Sequence, residues 1–555
     1  MQNQLLNLKS LIRFIIILPF TLLIGGTGGA QVVYESDRTC SIYDFLDELA
    51  NLRWISINSA VKPYSRIFIA EKLLEARRNA EHLNKRQKDE LDFYLQDYKL
   101  ELSDTLEIEK RIPLLKDQKN LGFRYSPIGF TYQKFPLTFT LRPVFGVQYY
   151  FNENGSVSCF TGGGSFFGYI GKHIGIYAGV TSRYQSQPLV KPEYFTEMDG
   201  YEWKTGSREE VTNTEFTGGL TISWKWGDFG VYNDRMEWGT NYHGSNIISG
   251  RAPSFPFIKL HLHPAKWLEF SYIHGSLRSN VIDSNRSSFG ENNYKIYYFH
   301  KYIAANLVTI IPWKGINLSL GNSIVYENDY PSIAFLIPVL FYNSVDATVS
   351  NYHNFVGGNS QMFIEASINR IKHFHLYGDV FIDEISITNI LNPKKQSNLI
   401  SYKLGLHLSD LPVRNLSLTF EWTQIHPLVY KHFMPITSYS SYEYCFGHFL
   451  RDNSQDVFIE LAYKPLKGFS VEFYYDLQQH GKEYAYTGAN QGFPFLTGIS
   501  WKETQFCFRA GYQFINISGI FIEYLKSNQS GDIEYSPALF HGSTNTIIAG
   551  LNFGF

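Results

Sequence analysis

The chain has 555 residues, with 49 Lys and Arg against 51 Asp and Glu, a formal net charge of −2, and neither a basic stripe nor a charged tail. That balance offers a nucleic-acid backbone no footprint, so nucleic acid is excluded as an expected partner. Aromatic residues make up 17% of the chain, with 44 Phe and 39 Tyr, yet mean hydropathy is only −0.19, a combination that suits a barrel with aromatics facing lipid and a polar lumen.

At the N-terminus, Lys9 and Arg13 precede an apolar run, Phe14 to Ile24, interrupted only by Pro19 and Thr21. Gly28-Gly29-Ala30 then supplies the small residues a signal peptidase needs, so residues 1–30 read as a signal peptide cut after Ala30. The run is too short to span ~30 Å of hydrocarbon as an anchor. No cysteine follows the cut directly, and Asp37-Arg38-Thr39 before Cys40 is not a lipoprotein box, so lipid anchoring is not expected.

Residues 31–116 read as a small helical domain on the periplasmic side. Ser41 is a candidate cap, with Asp44 three positions on, and Ile42, Phe45, Leu46 and Leu49 recur at helical spacing. A second helix is expected after Lys62-Pro63-Tyr64-Ser65, with Ile67, Ala70 and Leu74 on one face. A third starts near Asn84, with Gln87 three residues later and a stripe of Leu91, Tyr94, Leu95 and Tyr98. Lys110 to Asn120, charged and containing Pro113, reads as a linker.

From about Leu121 the period becomes two, and residues 117–555 read as an outer-membrane β-barrel. Leu137, Phe139 and Leu141 alternate with Thr138, Thr140 and Arg142; Leu220, Ile222, Trp224 and Trp226 alternate with Thr221, Ser223 and Lys225. Leu416, Leu418 and Phe420, then Val471, Phe473 and Tyr475, repeat the pattern. Helical membrane insertion is excluded after the signal, because the longest apolar candidate, Ile333 to Tyr342, is short and carries Pro338. Ile547, Ala549, Leu551, Phe553 and Phe555 share one face of a closing strand. A terminal Phe of this kind resembles the signal by which the barrel assembly machinery receives its clients, with outer-membrane lipid as the surrounding partner. At roughly 24 residues per strand and connection, the fold class is mostly β: a transmembrane antiparallel barrel of about 18 strands behind a small α-helical domain.

Enzyme signatures are scarce. Gly162-Gly163-Gly164-Ser165 has no following Lys and reads as a flexible turn, not a phosphate loop. There is no His-Glu-x-x-His and no Gly-x-Ser-x-Gly elbow. His261 and His263 share one strand face, but no third ligand is evident, so lumen or rim polarity is expected and no metal. Asp383 and Glu384 point to opposite faces of a strand and cannot flank one bond. Cys40, Cys159, Cys445 and Cys507 form no C-x-x-C, and the sequence does not pair them. No cofactor and no catalytic residue is expected.

The segment from Gly227 to Leu277 is the informative one. It holds Asn233-Asp234-Arg235-Met236-Glu237-Trp238-Gly239 and Ser249-Gly250-Arg251-Ala252-Pro253-Ser254-Phe255-Pro256. Here the chain resembles the capsule assembly Wzi family of outer-membrane barrels. The resemblance continues in order through Ile324-Val325-Tyr326-Glu327, the Pro-bearing stretch Phe335 to Phe341, Tyr377 to Glu384, Glu421-Trp422-Thr423, Gly447-His448 and Asn453 to Asp456, over about two-thirds of the chain. It implies an 18-stranded barrel with a small helical bundle, binding capsular or extracellular polysaccharide at the cell surface. Asp234, Arg235, Glu237, Trp238 and Arg251 are the candidate polysaccharide-binding or lumenal polar cluster; an ion-pair network fixing the barrel is the other reading of the same residues. Two other functions remain open from sequence: a diffusion channel for small solutes, and an outer-membrane hydrolase.

Overall fold

The computed structural model describes residues 31–36, 41–102, 112–113, 120–202, 210–290, 293–353, 357–385, 398–486 and 492–554. The expected signal segment, Cys40, most of the 110–120 linker and Phe555 lie outside the described residues.

Three helices form as their local signals dictate, with two adjustments. Ser41 precedes α1 (Ile42–Asn51) but does not cap it; its hydroxyl bonds Tyr94 and Gln513 instead. The α2 helix (Arg66–Arg78) starts on Ser65, whose side chain accepts from Phe68 N. Its buried stripe is Ile69, Ala70, Leu73 and Ala76, not Ile67, Ala70 and Leu74. The helix is turned because Arg66 also faces inward, into a buried ion cluster. The α3 helix (Lys85–Asp97) opens on the expected capping box between Asn84 and Gln87, and Leu91, Tyr94 and Leu95 are buried. The three helices close on one apolar core that includes Phe45, Leu46, Leu73 and Leu91.

Eighteen antiparallel strands close into a barrel. The first five are β1 (Leu137–Asn152), β2 (Gly155–Ile170), β3 (Ile174–Gln185), β4 (Val211–Trp224) and β5 (Gly227–Asp234). Then come β6 (Phe255–Ala265), β7 (Leu268–Ile282), β8 (Tyr298–Trp313), β9 (Ile316–Glu327) and β10 (Asn359–Ile368). They are followed by β11 (Phe374–Glu384), β12 (Leu399–Ser409), β13 (Leu416–Ile425) and β14 (Ser454–Leu466). The last four are β15 (Phe469–Gly481), β16 (Ile499–Ile515), β17 (Ser518–Gly531) and β18 (Ser543–Phe553). Pairing of β18 with β1, from Ile547↔Phe151 to Phe553↔Phe145, closes the ring. The remaining length of β1 pairs with a hairpin built from Leu121–Tyr125 and Ile128–Lys134.

Alternation sorts each strand into an apolar outer face and a polar inner one. On β1, Leu141, Phe145 and Tyr149 are exposed outward, while Thr140 and Arg142 are buried in the lumen. The same split puts Leu404 outward and Lys403 inward on β12, and Ile547 outward and Thr546 inward on β18. Because the outer belt must be solvated by hydrocarbon, a charge there is costly. Leu404→Arg, at the middle of β12 and 48% exposed, is expected to destabilise the folded barrel by about 2–4 kcal/mol in refolding titrations into lipid vesicles.

Gly162 to Ser165 is strand, not turn: it runs through the middle of β2. A Cβ at Gly163 would stand 2.0 Å from Val180 O, so the glycine permits close approach of the neighbouring strand.

The barrel has a short-turn end and a long-loop end. Short turns join β2 to β3, β4 to β5, β6 to β7, β8 to β9, β14 to β15 and β16 to β17. The helices dock there: His373 N donates to Asn51 O, Asn84 and Arg86 both donate to Asn415 Oδ1, and Ile517 joins the helix core.

One long connection does something the alternation alone does not foretell. Asn306 and Asn322 project outward from β8 and β9, and the segment after β9 covers them. Asn306 Nδ2 donates to Pro338 O at 2.8 Å and Leu340 O at 2.9 Å, and Tyr342 N donates to Asn322 Oδ1 at 2.9 Å. Phe335 and Tyr342 pack on the outward Tyr272, Tyr302 and Tyr326. The apolar Ile333 to Tyr342 stretch is thus a strap along the outer wall.

Candidate functional site: the plugged lumen and its cavities

Segments of the helical domain and of the strand connections enter the lumen. Residues Val61-Lys62 pair as a short antiparallel ribbon with Glu237-Trp238, at the start of the long connection between β5 and β6. That connection then crosses the barrel interior, held by ionisable side chains projecting inward from four successive strands. Thr240 N donates to Glu365 Oε1 (β10) at 3.0 Å, and Asn246 Nδ2 donates to Asp379 Oδ1 (β11) at 3.0 Å. Glu421 (β13) accepts from Tyr242 N at 2.6 Å, His243 N at 3.1 Å and Tyr377 Oη at 2.5 Å. Lys403 (β12) bridges the two parts, donating to Glu421 Oε2 at 2.6 Å and His243 O at 2.9 Å. The β13–β14 connection braces the loop from above, with Tyr430 Oη on Asn246 O and Tyr439 Oη on Ile247 O. Lys403 and Glu421 are paired as an ion pair, and Glu365 and Asp379 are each engaged through one carboxylate oxygen by the loop.

The helices are tied in by a second cluster. Arg66 contacts Glu35, donates to Glu101 Oε1 at 2.6 Å and Asp97 O at 2.9 Å, and lies over the rings of Tyr98 and Phe167. Arg142 of β1 bonds Glu35 at 3.3 Å, Tyr169 of β2 donates to Glu101 at 2.5 Å, and Asn516 donates to Asp97 at 2.9 Å.

Between plug and wall two adjoining cavities persist, of 480 and 670 Å³. They share Asp44, Asp47, Tyr242, Arg509 and Asn552 as lining residues. The smaller, next to the helices, is acidic, with Glu48, Glu90, Glu460 and Glu472 against Lys464 and Arg509. Burial pushes the Asp47 carboxyl up to about 6, against the opposing pull of Lys62. The larger cavity mixes Tyr43, Tyr201 and Phe449 with Arg183, Glu197, Asp199 and Glu237.

The five residues singled out in sequence do not form one open cluster. Arg235 makes a bidentate pair with Glu215 at 2.9 and 3.1 Å and donates to the carbonyls of Gly200, Arg251 and Ala252. Asp234 accepts from Tyr177 Oη and Arg235 N. Trp238 is buried and packs edge-on against Phe363. Arg251 donates to Lys191 O and Tyr194 O and lies over the Tyr444 ring. Glu237, paired with Lys62 at 3.1 Å, and Arg251 line the larger cavity.

Other sequence candidates fall out similarly. His261 and His263 share the inner face, 5.7 Å apart between ring centroids, and His261 bonds Ser271; among the described residues no third ligand joins them. Asp383 faces in, accepting from Tyr430 N, and Glu384 accepts separately from Tyr486 Oη. Cys159, Cys445 and Cys507 are unpaired. Sequence reasoning missed Glu365, Asp379, Lys403 and Glu421 as a set. Their signal was available: each is a charge at an inward position of its strand, alone on that face except for Asp379, which shares it with Asp383.

A closed barrel of 18 strands wearing an apolar belt solves the membrane's demand that every backbone polar group be satisfied internally. The molecule is an outer-membrane β-barrel. No family model and no curated protein matches the chain. Among solved structures it is similar to Escherichia coli Wzi, described as an outer-membrane protein involved in group 1 capsule assembly and a carbohydrate-binding β-barrel. The two share 11% identity and a TM-score of 0.55, over 95% of this chain and 100% of that one. Acinetobacter baumannii OccAB2 aligns at a TM-score of 0.43 and 11% identity, over 75% of this chain and 97% of that one. Pseudomonas aeruginosa OpdK with vanillate aligns at 0.40 and 8%, over 74% and 97%.

Proposed function

We propose that the chain is a non-enzymatic, carbohydrate-binding barrel of the Wzi type that helps attach or assemble capsular or extracellular polysaccharide at the cell surface. The observation that carries this reading is the plugged lumen: among the described residues, charged side chains hold a loop inside the barrel, and a mixed cavity is left between loop and wall. Aromatic faces beside carboxylates and guanidinium groups, as in the 670 Å³ cavity, suit a sugar ring and its hydroxyls. The full-length likeness to the capsule-assembly barrel, helices included, supports the same reading. Short turns face the periplasm in such barrels, so the helices close the periplasmic mouth and the long loops meet the polysaccharide.

Deleting the gene from its native host should release surface polysaccharide into the medium, with total synthesis unchanged, and re-expression should restore attachment. Polysaccharide that stays on the cell in the deletion strain refutes the proposal. A second reading, a narrow diffusion pathway, draws on the adjoining cavities along one wall. A steady single-channel current through the wild-type protein in planar bilayers would favour that reading over occlusion.

A further inference from the structure

The lumen loop carries one imidazole that the clamp of Glu421 and Lys403 leaves unused. The His243 ring lies flat on Phe458, 4.1 Å between centroids with planes 4° apart, which fixes its direction. Its Nδ1 stands 3.1 Å from Glu197 Oε2. Its Nε2 is aimed between two carboxylates of the barrel wall, 3.2 Å from Asp476 Oδ2 on β15 and 3.4 Å from Asp456 Oδ2 on β14. None of the three is open to water: His243, Asp456 and Asp476 are 7%, 2% and 1% exposed. Yet His243 Nε2, Asp456 Oδ1 and Asp476 Oδ1 all lack an aligned hydrogen-bond partner. Among the described residues, no Lys or Arg lies within ion-pair distance of either carboxylate. A buried imidazole nitrogen and two buried carboxylates that converge on one point with polar atoms left unsatisfied are costly.

We propose that His243, Asp456 and Asp476 bind a divalent transition-metal ion of the zinc class, which staples the lumen loop to β14 and β15. The three donor atoms lie within 4.8 Å of one another. Ligands at 2.0–2.2 Å from a tetrahedral ion stand about 3.3–3.6 Å apart, close to the 3.2 and 3.4 Å separations here. The surroundings are those of a metal-bound imidazole. Glu197 on Nδ1 holds the proton there and leaves the Nε2 lone pair for the ion, while Gln478 Nε2 donates to Asp476. His448 lies beside the ligands: its Nδ1 accepts from Leu450 N, and its Nε2 stands 3.5 Å from Asp456 Oδ2. One imidazole with two carboxylates suits zinc or a neighbouring first-row ion. Calcium, which takes six to eight oxygens, would be under-coordinated.

The test uses the full chain without a polyhistidine tag, purified in detergent, stripped with chelator and titrated with Zn2+. About one ion per chain should bind to the wild type. Uptake should be lost in Asp456→Asn/Asp476→Asn and retained in His261→Ala/His263→Ala, each checked for heat-modifiable gel mobility. If the carboxylate variant does not fold, Co2+ added to the wild type should give the strong visible absorption of a tetrahedral site. Zinc uptake that follows His261 and His263, preference for Ca2+ over Zn2+, or a wild type with neither zinc uptake nor a cobalt spectrum would each overturn the proposal.

Discussion

Replacing Glu421 with Ala is expected to turn a quiet barrel into a conducting one. Glu421 accepts from Lys403, Tyr377 and two backbone amides of the lumen loop. Without it, the buried Lys403 ammonium loses its ion-pair partner and keeps only His243 O as an acceptor, with Asp379 as its cross-strand neighbour. Breaking a buried pair by removing one partner costs about 3–5 kcal/mol, enough to move the plugged-to-open ratio by roughly two to four powers of ten. Planar-bilayer recording should register frequent openings in Glu421→Ala and few in the wild type. Lys403→Met/Glu421→Gln, which removes both charges and keeps volume, should stay quiet, because a neutral pair of similar size replaces the ion pair at little cost and the Gln carbonyl still accepts from the loop. Equal conductance in wild type and Glu421→Ala would mean that the loop does not gate the lumen.

Arg66→Met should cost about 3–5 kcal/mol in the docking of the helices. Arg66 is 1% exposed and neutralises Glu35, Asp97 and Glu101 together with Arg142; its loss leaves three buried carboxylates facing one guanidinium. The lost cation–π contacts with Tyr98 and Phe167 add to the effect. Urea unfolding followed by helical circular dichroism should show the midpoint falling, with the barrel's gel mobility retained. Lys72→Ala, which removes the pair with Glu75 and a cation–π contact with Phe68, is the control and should change stability by less than about 1 kcal/mol. An Arg66→Met midpoint no lower than that of the control would show that the helices are held by apolar packing alone.

The helices and strands were legible because their signals are local. Asn84 with Gln87 announces α3, and period-two alternation from Leu137 through Phe553 announces the wall. Where local reading failed, a distant partner had intervened. Ser41 is drawn from its cap by Gln513, α2 is turned by the acids around Arg66, and Gly163 serves the approach of β3 rather than a turn. Arg235 and Trp238 stood out in the sequence, but their partners, Glu215 and Phe363, lie on other strands.

By itself, then, the sequence determined that this chain is a barrel: alternation fixes which side chain faces lipid and which faces the lumen, since a one-residue slip would reverse every strand. It also determined that the lumen would be polar and the outer belt apolar. Only the tertiary structure decided what fills that lumen. Glu365, Asp379, Lys403 and Glu421 are inward charges on four strands, and nothing in their own neighbourhoods says that Thr240 to Asn246 will lie across them. His243 meets Asp456 and Asp476 from more than 200 positions away for the same reason. Closing the ring brings strands from the whole chain around one axis, so the partners of a buried charge are set by geometry across the barrel and not by spacing along the chain.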